Sequence, residues 1–252
     1  MIDAREVVKR HGSTTVLHGV SLQIPRQQFT AIIGPNGAGK STLLSLVSRL
    51  MPMSSGTVQI DGLDVATTAS DALSRVMAIL RQDNPSALRL TVRDLVGFGR
   101  FPHSKGRPTP ADLRHIEDAL DYLQLQPLAE RFLDELSGGQ RQRAYIAMVL
   151  CQDTPYMLLD EPLNNLDMAH AVSMMKLLRR AVDERGKTVV VVLHDINFAA
   201  CYADHIVAMK DGAVAHAGPP QQVVQDEVLS ALYGIDVSVH EVKGQRLCHY
   251  FA

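Results

Sequence analysis

Nine residues, Gly34-Pro35-Asn36-Gly37-Ala38-Gly39-Lys40-Ser41-Thr42, constrain this chain more than any others. They follow an apolar run of strand character, 29–33, and precede an apolar stretch with helical spacing, 43–50. G-x-x-x-x-G-K-[ST] set between a strand and a helix marks a phosphate-binding loop. Glycines let successive N–H groups turn inward as an anion nest. The Lys40 ammonium can reach the outer phosphates, and the Ser41 hydroxyl can ligate magnesium. Residue frequencies put a chance match at on the order of one per hundred chains, before its context is counted.

A second constraint lies at 136–167. Leu136-Ser137-Gly138-Gly139-Gln140 opens a helical run: Ser137 is a favourable N-cap, and the two glycines leave the backbone open to a ligand. The free N–H groups of such a helix start attract an anion. Residues 144–151 are apolar on nearly every face, which predicts a buried helix. Met157-Leu158-Leu159 reads as a strand buried on both faces, with Asp160 and Glu161 at its C-terminal end, where open α/β sheets bind ligands. An ordinary capped helix followed by a surface Asp-Glu pair would also fit the carboxylates. The five residues LSGGQ would not occur by chance in more than on the order of one chain in several thousand.

The remaining elements alternate as an α/β chain should. Strands are expected at 2–10, 16–24, 57–60, 76–80, 188–193, 206–210 and 213–217. Gln82 follows one of them; alone it is a surface amide, but beside a nucleotide it can act as a sensor. His194 and Asp195 end the strand at 188–193, on the rim expected for Glu161. From 85 to 151 the chain turns helical, with Thr91 and either Thr109 or Asp112 as helix openers. The loop Phe98–His103 carries two aromatics, which pack into a local core, form a docking surface, or do both. After Asp167, Ala171, Met174, Met175, Leu178 and Val182 keep the helical period, and Gly186 stops it. A further helical stretch is expected at 220–233, and 236–251 shows two short apolar-alternating runs without chemistry of its own.

Charge narrows the functions. The 25 basic and 27 acidic residues nearly cancel, which gives no electrostatic case for nucleic acid. No apolar run approaches the roughly 18 residues of a membrane span. The start carries charges where a signal peptide needs an apolar core, so a cytoplasmic protein is expected. Three widely spaced cysteines point to free thiols.

Taken in order, GPNGAGKST at 34–42, Gln82, LSGGQ at 136–140, YMLLDEP at 156–162, Leu166-Asp167 and His194 make the sequence resemble the nucleotide-binding subunit of an ATP-binding-cassette (ABC) transporter over nearly its whole length. The resemblance implies an α/β fold: a RecA-like P-loop NTPase core with an antiparallel β subdomain and an inserted α-helical subdomain. One domain would span 1–252, with the core at about 1–84 and 153–252 and the helical subdomain at about 85–152. It implies ATP and Mg2+, bound by Gly34 to Thr42. It also implies a head-to-tail pair of identical chains, in which Ser137, Gly138, Gly139, Gln140 and Asp167 of one copy close over the nucleotide of the other. Glu161 is then the base that polarises water, and His194 touches the γ-phosphate. Gln82 links that phosphate and the metal to the transport partner, and Ser41 and Asp160 support the magnesium. Implied partners are membrane permease subunits and, indirectly, an extracytoplasmic substrate-binding protein, with the chain peripheral on the inner face of the membrane.

Two positions depart from the family. His11 stands where an aromatic, usually Tyr, stacks on adenine; imidazole offers less surface, so either His11 makes a weaker contact with the base or it is a plain turn residue. Asn164-Asn165 stand where one smaller residue is common. The segments TVRDLVGFGRFPH, NNLDM, LHDINFAACYADHIVAMKDG and GPPQQVV resemble importers of iron–siderophore complexes, those handling ferric catecholates above all. ATPases of vitamin B12 and haem importers are the neighbouring alternatives, and a soluble ABC ATPase the more distant one.

Overall fold

A computed structural model describes residues 1–82, 89–164 and 166–251. The expected start of the helical insertion near 85 and the departure at Asn165 lie outside the described residues. β1 (Ile2–His11) and β2 (Thr14–Ile24) form a hairpin about Gly12-Ser13. β3 (Phe29–Ile33) runs into the glycine loop and α1 (Lys40–Val47). β4 (Ser55–Ile60) and β5 (Leu63–Asp64) complete an antiparallel sheet of order β2-β1-β4-β5.

After α2 (Ser70–Leu73) and β6 (Met77–Leu80) come four helices: α3 (Val92–Phe98), α4 (Phe101–Ser104), α5 (Pro110–Tyr122) and α6 (Gly138–Cys151). Thr91 and Thr109 each cap their helix in a capping box, with Asp94 and Asp112 as the returning partners. Asp112 is thus the third residue of the helix that Thr109 opens. Its carboxylate also accepts from Arg100 Nε at 2.8 Å in a buried pair, while Arg100 Nη1 donates to Cys151 O at 2.8 Å.

The core is a six-stranded sheet of order β10-β9-β3-β8-β7-β6, built with β7 (Tyr156–Asp160), β8 (Thr188–Val192), β9 (His205–Lys210) and β10 (Ala213–Gly218). Its strands are parallel except at the β9–β10 hairpin. Every residue of β3, β7 and β8 is buried, as a sheet covered on both faces requires. Ile32, Leu158, Val190 and Val192 pack with α1 and the antiparallel sheet. Ala31, Ile33, Leu159, Val189 and Val191 belong to the other layer, with α6 and α7 (Met168–Arg185). Met174 and Met175 are 1% and 0% exposed, so the methionine pair fills core space.

α8 (Ile196–Tyr202), α9 (Pro220–Val223) and α10 (Asp226–Tyr233) precede a hairpin of β11 (Ser238–Val242) and β12 (Gln245–His249). Three local expectations change. The first helix starts at Lys40, ahead of its apolar period, because Gly39 ends the loop in a left-handed conformation. The helical stretch at 220–233 divides into α9 and α10 about the non-helical Val224. The aromatic loop contains α4, and Phe98 and Phe101 are 48% and 55% exposed, so both rings lie at the surface. Among the described residues no helix is long and apolar enough to cross a membrane.

Candidate functional site

β3, at the centre of the sheet, ends beneath the loop that the sequence marks out. Gly34 has no room for a side chain: a Cβ would lie 2.0 Å from Met209 O. Gly37 and Gly39 take φ of 80° and 93°, turning the main chain around a cleft of about 230 Å³. Asn36, Gly37, Gly39, Lys40, Ser41 and Thr42 line it, with Val16, Glu161 and His194. Gly34, Pro35 and Ala38 shape the loop from behind, through an Ala38 N–H bond to Pro35 O at 3.2 Å and through the carbonyls that hold Lys40.

The Lys40 ammonium folds back onto Gly34 O at 2.9 Å and Pro35 O at 3.0 Å. Burial draws its pKa below the ordinary lysine value, against the opposing pull of Glu161 and Asp160. The Ser41 hydroxyl donates to Asp160 Oδ1 at 2.8 Å. Burial pushes the Asp160 carboxyl up, and the Ser41 bond offsets part of that shift.

Glu161, one residue past β7, has φ of 50°, a left-handed conformation that aims its carboxylate into the cleft. Oε2 accepts from Gln82 Nε2 at 2.8 Å and from Asn164 Nδ2 at 2.5 Å, and Oε1 lies 2.7 Å from His194 Nε2. The ends of β6, β7 and β8 therefore bring Gln82, Glu161 and His194 together at the mouth of the phosphate loop. Asn164, one of the two departures from the family pattern, donates to Glu161 of its own chain.

The signature turn sits elsewhere. Ser137 accepts from Gln140 N at 3.3 Å and Gln140 Oε1 accepts from Ser137 N at 3.1 Å, a complete capping box at the start of α6. Ser137 and Gly138 are exposed, and neither they nor Gly139 and Gln140 line the cleft of their own chain. Asp167 is also exposed, capping α7 through His170 N at 2.8 Å. His11 stands at the exposed end of β1, paired with Thr14 and outside the cleft lining.

Residues that the sequence did not single out include Val16 in the cleft and Phe198 and Met168 in an adjoining groove of about 450 Å³. Met168 is 82% exposed. Apolar side chains carry no chemical signature, so only their position reveals them. Among the described residues no group of three or more His, Cys, Asp or Glu side chains is arranged to hold a metal by itself.

A cradle for phosphates at the end of a central parallel strand, edged by a carboxylate tied to an amide and an imidazole, defines a nucleotide-hydrolysing cassette. Residues 17–164 match the ABC transporter family model, and the chain belongs to that family of ATPases. It is 50% identical over 252 residues to a petrobactin import ATP-binding protein of Bacillus subtilis, covering 100% of each chain. It is 41% identical over 227 residues to a ferric enterobactin transport ATP-binding protein of Escherichia coli, covering 89% of this chain and 84% of the relative. Among solved structures, it matches an ATP-binding cassette in a post-hydrolysis dimer with ADP and Pi. The TM-score is 0.77 and the identity 30%, over 87% of this chain and 99% of the other.

Proposed function

We propose that this chain is the ATP-hydrolysing subunit of an importer for iron–siderophore complexes, acting through a separate membrane permease. The observation that carries the hydrolytic part is the Glu161 carboxylate, held by Gln82, Asn164 and His194 at the edge of the phosphate cleft. Similarity to petrobactin and ferric enterobactin import proteins supports the cargo class.

In this reading ATP is the substrate, with its phosphates on the 34–42 loop. Lys40 exchanges its carbonyl partners for phosphate oxygens. Glu161 accepts a proton from the attacking water, and His194 donates toward the γ-phosphate. Gln82 senses the phosphate end through Glu161 and relays its state to the permease.

The donors fit magnesium. Ser41 Oγ and Asp160 Oδ1 are neighbouring hard oxygens, and a cation bound by so few side chains completes its shell with phosphate and water. When bound, it would neutralise charge on the phosphate oxygens. The separation of Ser137 and Gly139 from their own cleft supports a head-to-tail pair, each copy closing the other's site. The permease would hold the pair at the inner face of the membrane, with an extracytoplasmic binding protein delivering the cargo.

The test is ATP turnover by the complex reconstituted in lipid, with the binding protein loaded with a ferric catecholate or left empty. Loaded binding protein is expected to stimulate turnover. Glu161→Gln is expected to lower it by about 10²–10⁴-fold, the usual contribution of a general base, while ATP-driven pairing persists. Absence of stimulation by any ferric siderophore would remove the cargo assignment, and near-parental turnover in the variant would remove the role of Glu161.

A further inference from the structure

His194 borders three spaces at once: the phosphate cleft, the groove along Met168, and a separate cavity of about 140 Å³. Its Nε2 meets Glu161 on one side. A half-exposed imidazole between cavities has few neighbours to hold its angle, so whatever stands behind it matters.

Behind it stands the C-terminal segment. Tyr233, Ile235, Val237 and Tyr250 close the third cavity opposite His194 and Ile196. The attachment point is Asn197, three residues beyond the histidine. Its Oδ1 accepts from Cys248 N at 2.7 Å, and its Nδ2 donates to Cys248 O at 3.3 Å. The amide pairs with the Cys248 peptide unit much as a neighbouring strand would. Cys248 is 5% exposed, so loss of the amide would leave a buried N–H and C=O unpaired. Asn197 is also tied back toward the histidine, because Asp195 Oδ1 accepts from Asn197 N at 2.7 Å and caps α8.

We propose that Asn197 is a positioning residue for His194: by clamping β12 to α8 it keeps the segments that flank the C-terminal hairpin, Tyr233 to Val237 on one side and Tyr250 on the other, as the backing wall of the histidine. The proposal rests on the reading of His194 as a hydrolytic group, and it gives a role to the tail that the sequence left without chemistry. Asn197 touches no reacting atom. It acts through the placement of the imidazole, and small misplacements of a catalytic group are costly in rate.

Single-turnover hydrolysis of γ-labelled ATP by the full chain tests this, comparing parent, Asn197→Ala, His194→Ala and the double variant. Asn197→Ala is expected to slow hydrolysis about tenfold with ATP affinity changed by less than about twofold, as displacement of a transition-state group requires. Without His194, removing Asn197 should change the rate by less than about twofold. Asn197→Ser, too short to span to Cys248, should give the same pattern if the alanine variant folds poorly. In 13C-histidine-labelled protein, the His194 resonance (the one missing from His194→Ala) should shift in either Asn197 variant.

A parental rate in both Asn197 variants, an undiminished Asn197 effect without His194, or an unmoved His194 resonance would each overturn the clamp. If His194→Ala itself hydrolyses at the parental rate, the reading of His194 fails and the clamp fails with it. If His194→Ala is impaired while the Asn197 variants are not, the clamp alone fails.

Discussion

Gly39→Ala probes the phosphate loop where the nearest obstruction is a side chain, not backbone. An added Cβ would stand 2.6 Å from Leu17 Cδ2, 3.5 Å from Val16 O and 3.7 Å from Gly212 Cα. Leu17 is 0% exposed and belongs to the layer between α1 and the antiparallel sheet, so its side chain cannot swing clear without displacing other core residues. Overpacking of this kind costs about 1–3 kcal/mol. The φ of 93° adds an independent strain for any residue with a Cβ, again about 1–3 kcal/mol. The sum, about 2–6 kcal/mol, reaches only the low end of the roughly 5–15 kcal/mol that hold a typical domain together, so the variant should fold with reduced stability. Leu17→Ala removes the obstructing methyl at its own cavity cost of about 2–5 kcal/mol. In urea unfolding, the double variant should therefore be more stable than the two single losses predict, by about 1–3 kcal/mol of coupling. Nucleotide affinity should fall in Gly39→Ala, whose strained φ disturbs the loop, and stay low in the double variant, because removing Leu17 does nothing for φ. Additivity to within about 0.5 kcal/mol would refute the claim that Leu17 is what the new Cβ strikes. Full recovery of nucleotide binding would refute the backbone argument.

Two further outcomes concern the helices that carry the signature turn. Asp112→Ala should cost about 3–5 kcal/mol in urea unfolding because it strands the Arg100 guanidinium in a buried site, whereas Arg100→Met with Asp112→Leu should be much closer to neutral. The Thr109 backbone N–H, and then Arg100, hold the Asp112 carboxyl below the usual range. Its contribution is therefore complete above the ordinary carboxylate pKa and lost as pH falls through the depressed folded value, so Asp112→Ala should flatten the acid limb of the stability profile. Gln152 Nε2 donates to Ser74 O at 2.6 Å and Met77 O at 3.1 Å, tying the end of α6 to the strand that leads to Gln82. Gln152→Ala should cost about 0.5–1.5 kcal/mol, the usual net contribution of a hydrogen bond, and should speed amide exchange in β6.

What the sequence disclosed and what it withheld divide along a physical line. The glycine loop, the Ser137 cap, the Thr91 and Thr109 caps and the apolar strand before Asp160 are settled within a few residues by turn chemistry, so they were legible without neighbours. Lys40, Ser41 and Thr42 carry no apolar period, which hid the first turn of α1 although the glycine before it was plain. The meeting of Gln82, Glu161 and His194 is a different kind of fact. Each was placed at a strand end by its own segment, but their separations follow from β6, β7 and β8 standing side by side, with β3 against β8. That order is fixed by packing across the whole sheet and has no local code. The Asn197–Cys248 pairing is more remote still: an unremarkable asparagine and a strand of middling hydropathy become a clamp only because α8 and β12 come together at residues 51 positions apart. Local chemistry could thus name the polar groups that the sheet gathers at the cleft, while the groups that hold them in place had to wait for the tertiary arrangement. This is why the tail read as two apolar-alternating runs without chemistry, and why His194 is better tested through its support than through further changes to its own ring.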